Sequence, residues 1–245
     1  MFPYLSVIIP CYNEKKTIEI LIDKVLSVKK IKKEIILVDD NSNDGTRELI
    51  KKKLATKVNK IIFHKKNMGK GGCIKSAQKH VNGNIVIIQD SDLEYDPKDY
   101  QKLIKPILSN SCKVVYGSRV LNKNIFQDLE NFSHWIRIMG NYFLTKFSNF
   151  FNRQELTDAH TCYKVFEVKL FKRLLLKENN FNFCPEVTTK LSNLNYKITE
   201  VPISYFGRNY NEGKKISSID AFHALKTIIK YKFFDQKSLI SKKND

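Results

Sequence analysis

The chain has no C-x-x-C pair. Its five cysteines, Cys11, Cys73, Cys112, Cys162 and Cys184, are odd in number and widely spread, and no histidine-rich segment accompanies them. That pattern argues against a disulfide framework or a zinc module and predicts reduced, mostly buried thiols of a cytosolic protein. No run of about 18 apolar residues occurs, so no membrane-spanning helix is expected. Met1-Phe2-Pro3-Tyr4 leads straight into a short apolar run that Pro10 interrupts. With no basic segment ahead of that run, no secretory signal is expected. Acidic residues are the scarcer charge: 25 Asp and Glu face 43 Lys and Arg, a formal net charge of +18. Three explanations stay open for that excess: lysines scattered over helix faces, a nucleic-acid partner, and an anionic membrane surface or phosphate-bearing substrate.

What the sequence does contain is alternation. Apolar runs at 4–9, 34–38, 58–63, 84–89 and 113–117 read as strands, and amphipathic stretches at 15–28, 44–54, 70–80 and 97–109 read as the helices between them. Such βα units predict an α/β fold, a doubly wound, mostly parallel central sheet with helices on both faces. Ligands of such sheets bind beyond the carboxyl ends of the strands. All five turns there are polar: Pro10-Cys11-Tyr12-Asn13-Glu14, Asp39-Asp40-Asn41-Ser42-Asn43-Asp44-Gly45-Thr46, Asn67-Met68-Gly69-Lys70-Gly71, Asp90-Ser91-Asp92-Leu93-Glu94 and Gly117-Ser118-Arg119. Each alone is also ordinary turn chemistry.

The acidic turn carries the most chemistry. If extended geometry persists past the strand, Asp90, Asp92 and Glu94 point the same way. Such an oxygen-rich site suits Mg²⁺ or Mn²⁺, with water and substrate phosphate filling the remaining positions. The plainer reading is a solvated loop and a helix start at Pro97. No G-x-G-x-x-G follows the first strand, and Gly69-Lys70-Gly71-Gly72 has neither that spacing nor a P-loop's, which excludes a dinucleotide-binding dehydrogenase and a P-loop nucleotidase.

Together the five turns resemble those of glycosyltransferase family 2, which has the GT-A nucleotide-diphospho-sugar transferase fold. The match covers about residues 4–120 at motif strength. The resemblance implies that Pro10, Tyr12, Glu14, Val38 and Asp40 contact the nucleotide. Asp90 and Ser91 then lie near the ribose and diphosphate, and Asp92 with Glu94 holds the metal. Within the family, Asp-x-Asp-Leu-Glu-Tyr-Asp-Pro and Asn-x-Gly-Lys-Gly look most like the polyprenyl-phosphate enzymes, including dolichol-phosphate mannose synthases. By that likeness Arg119, Arg137, Arg208 and Lys214 bind the acceptor phosphate, with Asp92 and Arg119 central to catalysis. Guanidinium suits phosphate through paired, charge-assisted hydrogen bonds.

The implied reaction is inverting transfer from a nucleoside-diphosphate sugar to a polyprenyl phosphate at the inner, cytoplasmic membrane face. A lipid phosphate is already anionic and needs no general base. A saccharide hydroxyl acceptor is the alternative, with Asp158 or Glu186 as fallback bases. One departure is visible: a Ser/Thr-Gly-Phe-type segment is replaced by Asp158-Ala159-His160-Thr161-Cys162-Tyr163-Lys164, where Cys162 stands for Gly and His160 reads as a turn residue.

Residues 1–216 are expected to form the GT-A domain, 217–235 a C-terminal amphipathic helix and 236–245 a disordered tail. Within 130–152, Phe132, Trp135, Ile136, Met139, Phe143, Phe147 and Phe150 recur at helical spacing. The stripe reads either as a helix packed on the sheet or as one lying in a membrane interface. The aromatics lie away from any nucleic-acid motif, so no nucleic-acid partner is expected.

Overall fold

The computed structural model describes residues 4–121, 132–207, 218–235 and 239, with backbone only at 132–137 and 218–220. Among these residues seven strands form one sheet, in the order β3-β2-β1-β4-β6-β5-β7. They are β1 (Tyr4–Cys11), β2 (Lys32–Asp39), β3 (Lys60–Phe63), β4 (Ile85–Ile88), β5 (Val114–Ser118), β6 (Lys164–Glu167) and β7 (Thr199–Pro202). The first four run parallel, while β6 lies antiparallel between β4 and β5. The expected five strands are present, and β6 and β7 are additions, each only four residues long.

The helices are α1 (Ile18–Ser27), α2 (Thr46–Leu49), α3 (Gly69–Gln78), α4 (Tyr100–Leu108), α5 (Phe132–Asn152), α6 (Val168–Arg173), α7 (Phe183–Asn193) and α8 (Ser218–Ile229). Successive strand residues face opposite sides, so the apolar runs feed two cores. Leu5, Val7, Ile9 and Leu37 pack under α1 and α4. Ile8, Ile36, Val38 and Val86 pack under α3, α6 and α7. β1 has β2 on one side and β4 on the other. The direction of winding therefore reverses between β1 and β4, where an open α/β sheet forms its ligand crevice.

Two local expectations fail. Pro10 lies within β1, opposite Val38, rather than beyond the strand. Extended geometry also does not persist into the acidic turn: β4 ends at Ile88, and Leu93 has a left-handed φ of 66°. Asp90, Asp92 and Glu94 therefore leave the strand along a turn instead of sharing one face.

Helix α5 has two readings in the sequence, and among its described residues the stripe is partly outward: Phe143 is 62% and Phe150 79% exposed and Phe147 is half-buried, whereas Thr145, Ser148 and Asn152 are buried. The reason is polar. Asn141 donates to Asp158 Oδ1 at 3.3 Å, Thr145 Oγ1 accepts from Ala159 N at 3.3 Å, and Asn149 donates to Leu156 O at 2.7 Å. Further along, Asn152 donates to Thr189 on α7 at 3.2 Å. These bonds hold the 156–159 loop, and the outward phenylalanines forgo the roughly 1.5–3 kcal/mol that burial of each would contribute. Among the described residues no helix is long and apolar enough to cross a membrane.

Candidate active site

The turns after β1 and β2 are stitched together by side chains. Asn13, at φ 55°, donates its backbone N–H to Ser42 Oγ at 3.0 Å and its amide to Asn43 Oδ1 at 3.0 Å. Glu14 N donates to Thr46 Oγ1 at 2.9 Å, and Asp44 caps Thr46 N at 2.9 Å. Gly45, at φ 93°, makes the turn between them, a conformation that costs other residues strain. Tyr12 is partly exposed, while Glu14 is buried and accepts from Thr17 Oγ1 at 2.7 Å. Val38 is fully buried in the sheet, packed in the core under α3.

Asp40 organises the third turn. Its carboxylate accepts from His64 Nδ1 at 2.6 Å, Met68 N at 2.8 Å and Gly69 N at 2.7 Å. His64 Nε2 is paired with Ser76 Oγ at 2.9 Å. Asp40 is 2% exposed, and in this arrangement its carboxylate shapes the Asn67–Gly71 loop. That loop places Lys70, which forms a largely buried ion pair with Asp90. Burial would lower the Lys70 ammonium, and the Asp90 carboxylate overrides it and raises it. Lys70 belongs to the Asn67–Gly71 turn, and its pairing with Asp90, 20 positions away, carries no signal in the sequence.

The acidic turn is held from beneath by Gln89, which accepts from Tyr100 OH at 2.7 Å and Tyr163 OH at 2.6 Å and donates to Asp90 O at 3.0 Å. Ser91 is buried, and Asp92 and Glu94 are partly exposed. Asp92 Oδ1 accepts from Glu94 N at 3.2 Å, and Glu94 Oε2 accepts from Tyr205 OH at 3.0 Å. Oxygen-only donors on an open turn fit a hard divalent cation that retains water and phosphate ligands. The described His, Cys and acidic side chains form one tighter group, Asp40, His64 and Cys73. Burial and Asp40 push the Cys73 thiol up, and Asp40 and His64 are already engaged in the hydrogen bonds given above.

Arg119, after β5, faces this turn across Tyr205, whose ring centroid lies 5.2 Å from the guanidinium carbon. Both prongs of Arg119 engage Asp158, Nε to Oδ2 at 2.7 Å and Nη2 to Oδ1 at 2.8 Å. Burial would raise the Asp158 carboxyl, but the Arg119 guanidinium prevails and holds it below the usual carboxylate range. Asp158 is thus an anchor for arginine, and the fallback role as base fails. Glu186 fails likewise: it is fully buried, paired with Lys190 at 2.7 Å and accepting from Lys177 N and Glu178 N. His160 is driven down to about 4 by burial and the Lys164 ammonium, and its Nε2 is buried without a partner. A neutral imidazole so placed does not shuttle protons near neutrality. The Cys162 thiol, raised by burial and by Asp90, lines the crevice beside that carboxylate.

Arg208 and Lys214 lie outside the described residues, and Arg137 belongs to α5 with its side chain outside them. Tyr205 was missed because an isolated tyrosine three residues before Arg208 carries no periodic signal.

The family model for glycosyl transferase family 2 matches residues 6–175, most of the chain and all five turns at the carboxyl ends of the strands. The chain belongs to glycosyl transferase family 2. Its fold is GT-A, and it is a glycosyltransferase. Family relatives extend over most of its length. An uncharacterised protein of Methanocaldococcus jannaschii is 28% identical over 94% of this chain and 93% of its own. A dolichyl-phosphate beta-glucosyltransferase of Trichomonas vaginalis is 26% identical over 94% of this chain and 73% of its own. Glucosyl-3-phosphoglycerate synthase from Mycobacterium tuberculosis, solved with Mn²⁺, UDP and phosphoglyceric acid, matches with a TM-score of 0.69. It is 15% identical over 94% of this chain and 79% of that chain, a likeness of fold.

Proposed function

We propose that this glycosyltransferase moves a hexosyl group from a nucleoside-diphosphate sugar to a polyprenyl phosphate at a membrane surface. The observation that carries the reading is that the candidate bases Asp158 and Glu186 are both held in ion pairs, the first with Arg119, a cation that the Tyr205 ring joins to the acidic turn. An arginine without a general base suits an acceptor that arrives already anionic. The relative named as a dolichyl-phosphate beta-glucosyltransferase supports the same acceptor class.

In this reading the residues divide the work. Pro10, Tyr12, Glu14, Val38 and Asp40 border the nucleotide, with Asp90 and Ser91 toward the ribose and diphosphate. Lys70 adds a cation beside Asp90. Asp92 and Glu94 would hold Mg²⁺ or Mn²⁺, which when bound neutralises the diphosphate leaving group. Arg119 holds the acceptor phosphate, joined by Arg137, Arg208 and Lys214. One phosphate oxygen forms a bond to the anomeric carbon as the sugar–diphosphate bond breaks, inverting that centre and releasing the nucleoside diphosphate. Tyr205 touches both sides, through its hydroxyl to Glu94 and its ring to Arg119.

The test is product partition. Radiolabelled sugar is expected in an organic-extractable, acid-labile lipid fraction when the protein, donor, Mn²⁺ and polyprenyl phosphate are combined. Label recovered only in water-soluble glycan would replace this acceptor with a saccharide hydroxyl.

A further inference from the structure

We infer that the outward faces of α5 and α8 form a docking surface for an anionic lipid bilayer. The inference rests on the lipid-phosphate reading and supplies its missing part, the means by which a chain with no described spanning helix stays beside a membrane-bound acceptor.

Helix α5 turns a polar side inward and Phe143 and Phe150 outward. Phe143 and Phe150, seven residues apart and hence on one face, are 62% and 79% exposed. α8 packs against α5 and repeats the arrangement. Phe222 is 67% exposed, Ile229 37%, and Phe233 and Phe234 in the turn that follows α8 are 56% and 82% exposed. The two elements share one patch rather than two: Phe151 meets Phe150 at 5.1 Å and Phe233 at 5.8 Å between ring centroids. An exposed apolar patch of this kind needs a partner.

Charge selects the partner. Lys146 on α5, Arg153 just beyond it and Lys226 on α8 are exposed, while Lys230 beyond α8 is paired with Glu178 at 2.8 Å. Outward phenylalanines among cations suit an interface in which rings enter the acyl boundary and ammonium groups meet anionic headgroups. The face is also coupled to the crevice. On the inward side of α5, Asn141 donates to Asp158, the carboxylate that fixes Arg119. One helix thus presents its outer face to the bilayer and its inner face to the acceptor arginine.

Flotation of the full chain with phosphatidylcholine vesicles, with and without phosphatidylglycerol, tests this without donor or acceptor. Binding to the anionic vesicles is expected, weakening with salt. A triple variant, Phe150→Ser, Phe222→Ser and Phe234→Ser, is expected to bind on the order of tenfold more weakly, with unchanged thermal midpoint and UDP affinity. Should the triple variant fold poorly, Phe150→Ser alone is expected to weaken binding, and Lys146→Glu with Lys226→Glu to remove the preference for anionic vesicles. No binding by the natural chain, or binding indifferent to all these changes, would overturn the inference. So would a dimer in light scattering that the phenylalanine variants dissociate, since a second copy would then cover the face. Vesicle binding with label only in water-soluble glycan would sink the acceptor reading and leave the docking surface standing.

Discussion

Asp158 grips Arg119 with both carboxylate oxygens at 2.7 and 2.8 Å while being itself fully buried. Loop 156–159, which carries Asp158, is in turn held by α5, so the placing of Arg119 depends on a helix further along the chain. Removing one member of a buried pair leaves the other uncompensated.

Asp158→Ala is therefore expected to destabilise the fold by about 3–5 kcal/mol in denaturant titration. Arg119→Lys keeps the charge and loses the fork. It is expected to lower kcat at least about tenfold while leaving UDP affinity within about twofold. Unchanged turnover would remove Arg119 from the acceptor site.

Lys70 is ion-paired with Asp90 in the crevice. Lys70→Met is expected to weaken donor affinity on the order of tenfold by calorimetry, since a cation beside the expected diphosphate position is lost. Donor binding equal to that of the natural chain would confine Lys70 to a structural role.

Asp92→Ala is expected to abolish transfer with circular dichroism unchanged. EDTA should do the same to the natural chain, with Mg²⁺ or Mn²⁺ restoring activity. Retained activity in either experiment would remove the metal assignment.

Glu34, at the opposite end of the sheet, gives a pH-dependent stability. It is buried and accepts from Ser6 Oγ at 2.5 Å, Asn82 N at 2.5 Å and Gly83 N at 3.2 Å. Burial would raise its carboxyl, but these hydrogen bonds prevail and hold it below its ordinary value of 4.5. A folded-state value below the unfolded one contributes stability that is complete above the unfolded value and disappears as pH falls toward the folded one. Urea unfolding of Glu34→Gln should therefore depend less on pH below 4.5 than that of the natural chain. Parallel curves would contradict this.

The crevice was legible because its segments are local. Each polar turn directly follows an apolar run, so a reader of the chain finds Asp40, Asp90, Asp92 and Arg119 where the sheet delivers them. The strands β6 and β7 escaped notice because four residues cannot display a period. Lys70 and Tyr205 escaped because their partners, Asp90 and Glu94, are 20 and 111 positions away.

By itself the sequence determined the alternation of strands and helices and the acid-rich turns that follow the strands. Those follow from side-chain period and turn chemistry, which act over a few residues. The tertiary structure alone decided where the winding reverses to open a crevice, that Asp158 restrains Arg119 instead of serving as a base, and that α5 exposes Phe143 and Phe150. Helical spacing groups residues onto a face without saying which face turns inward, and here hydrogen bonds to the 156–159 loop and to α7 made that choice.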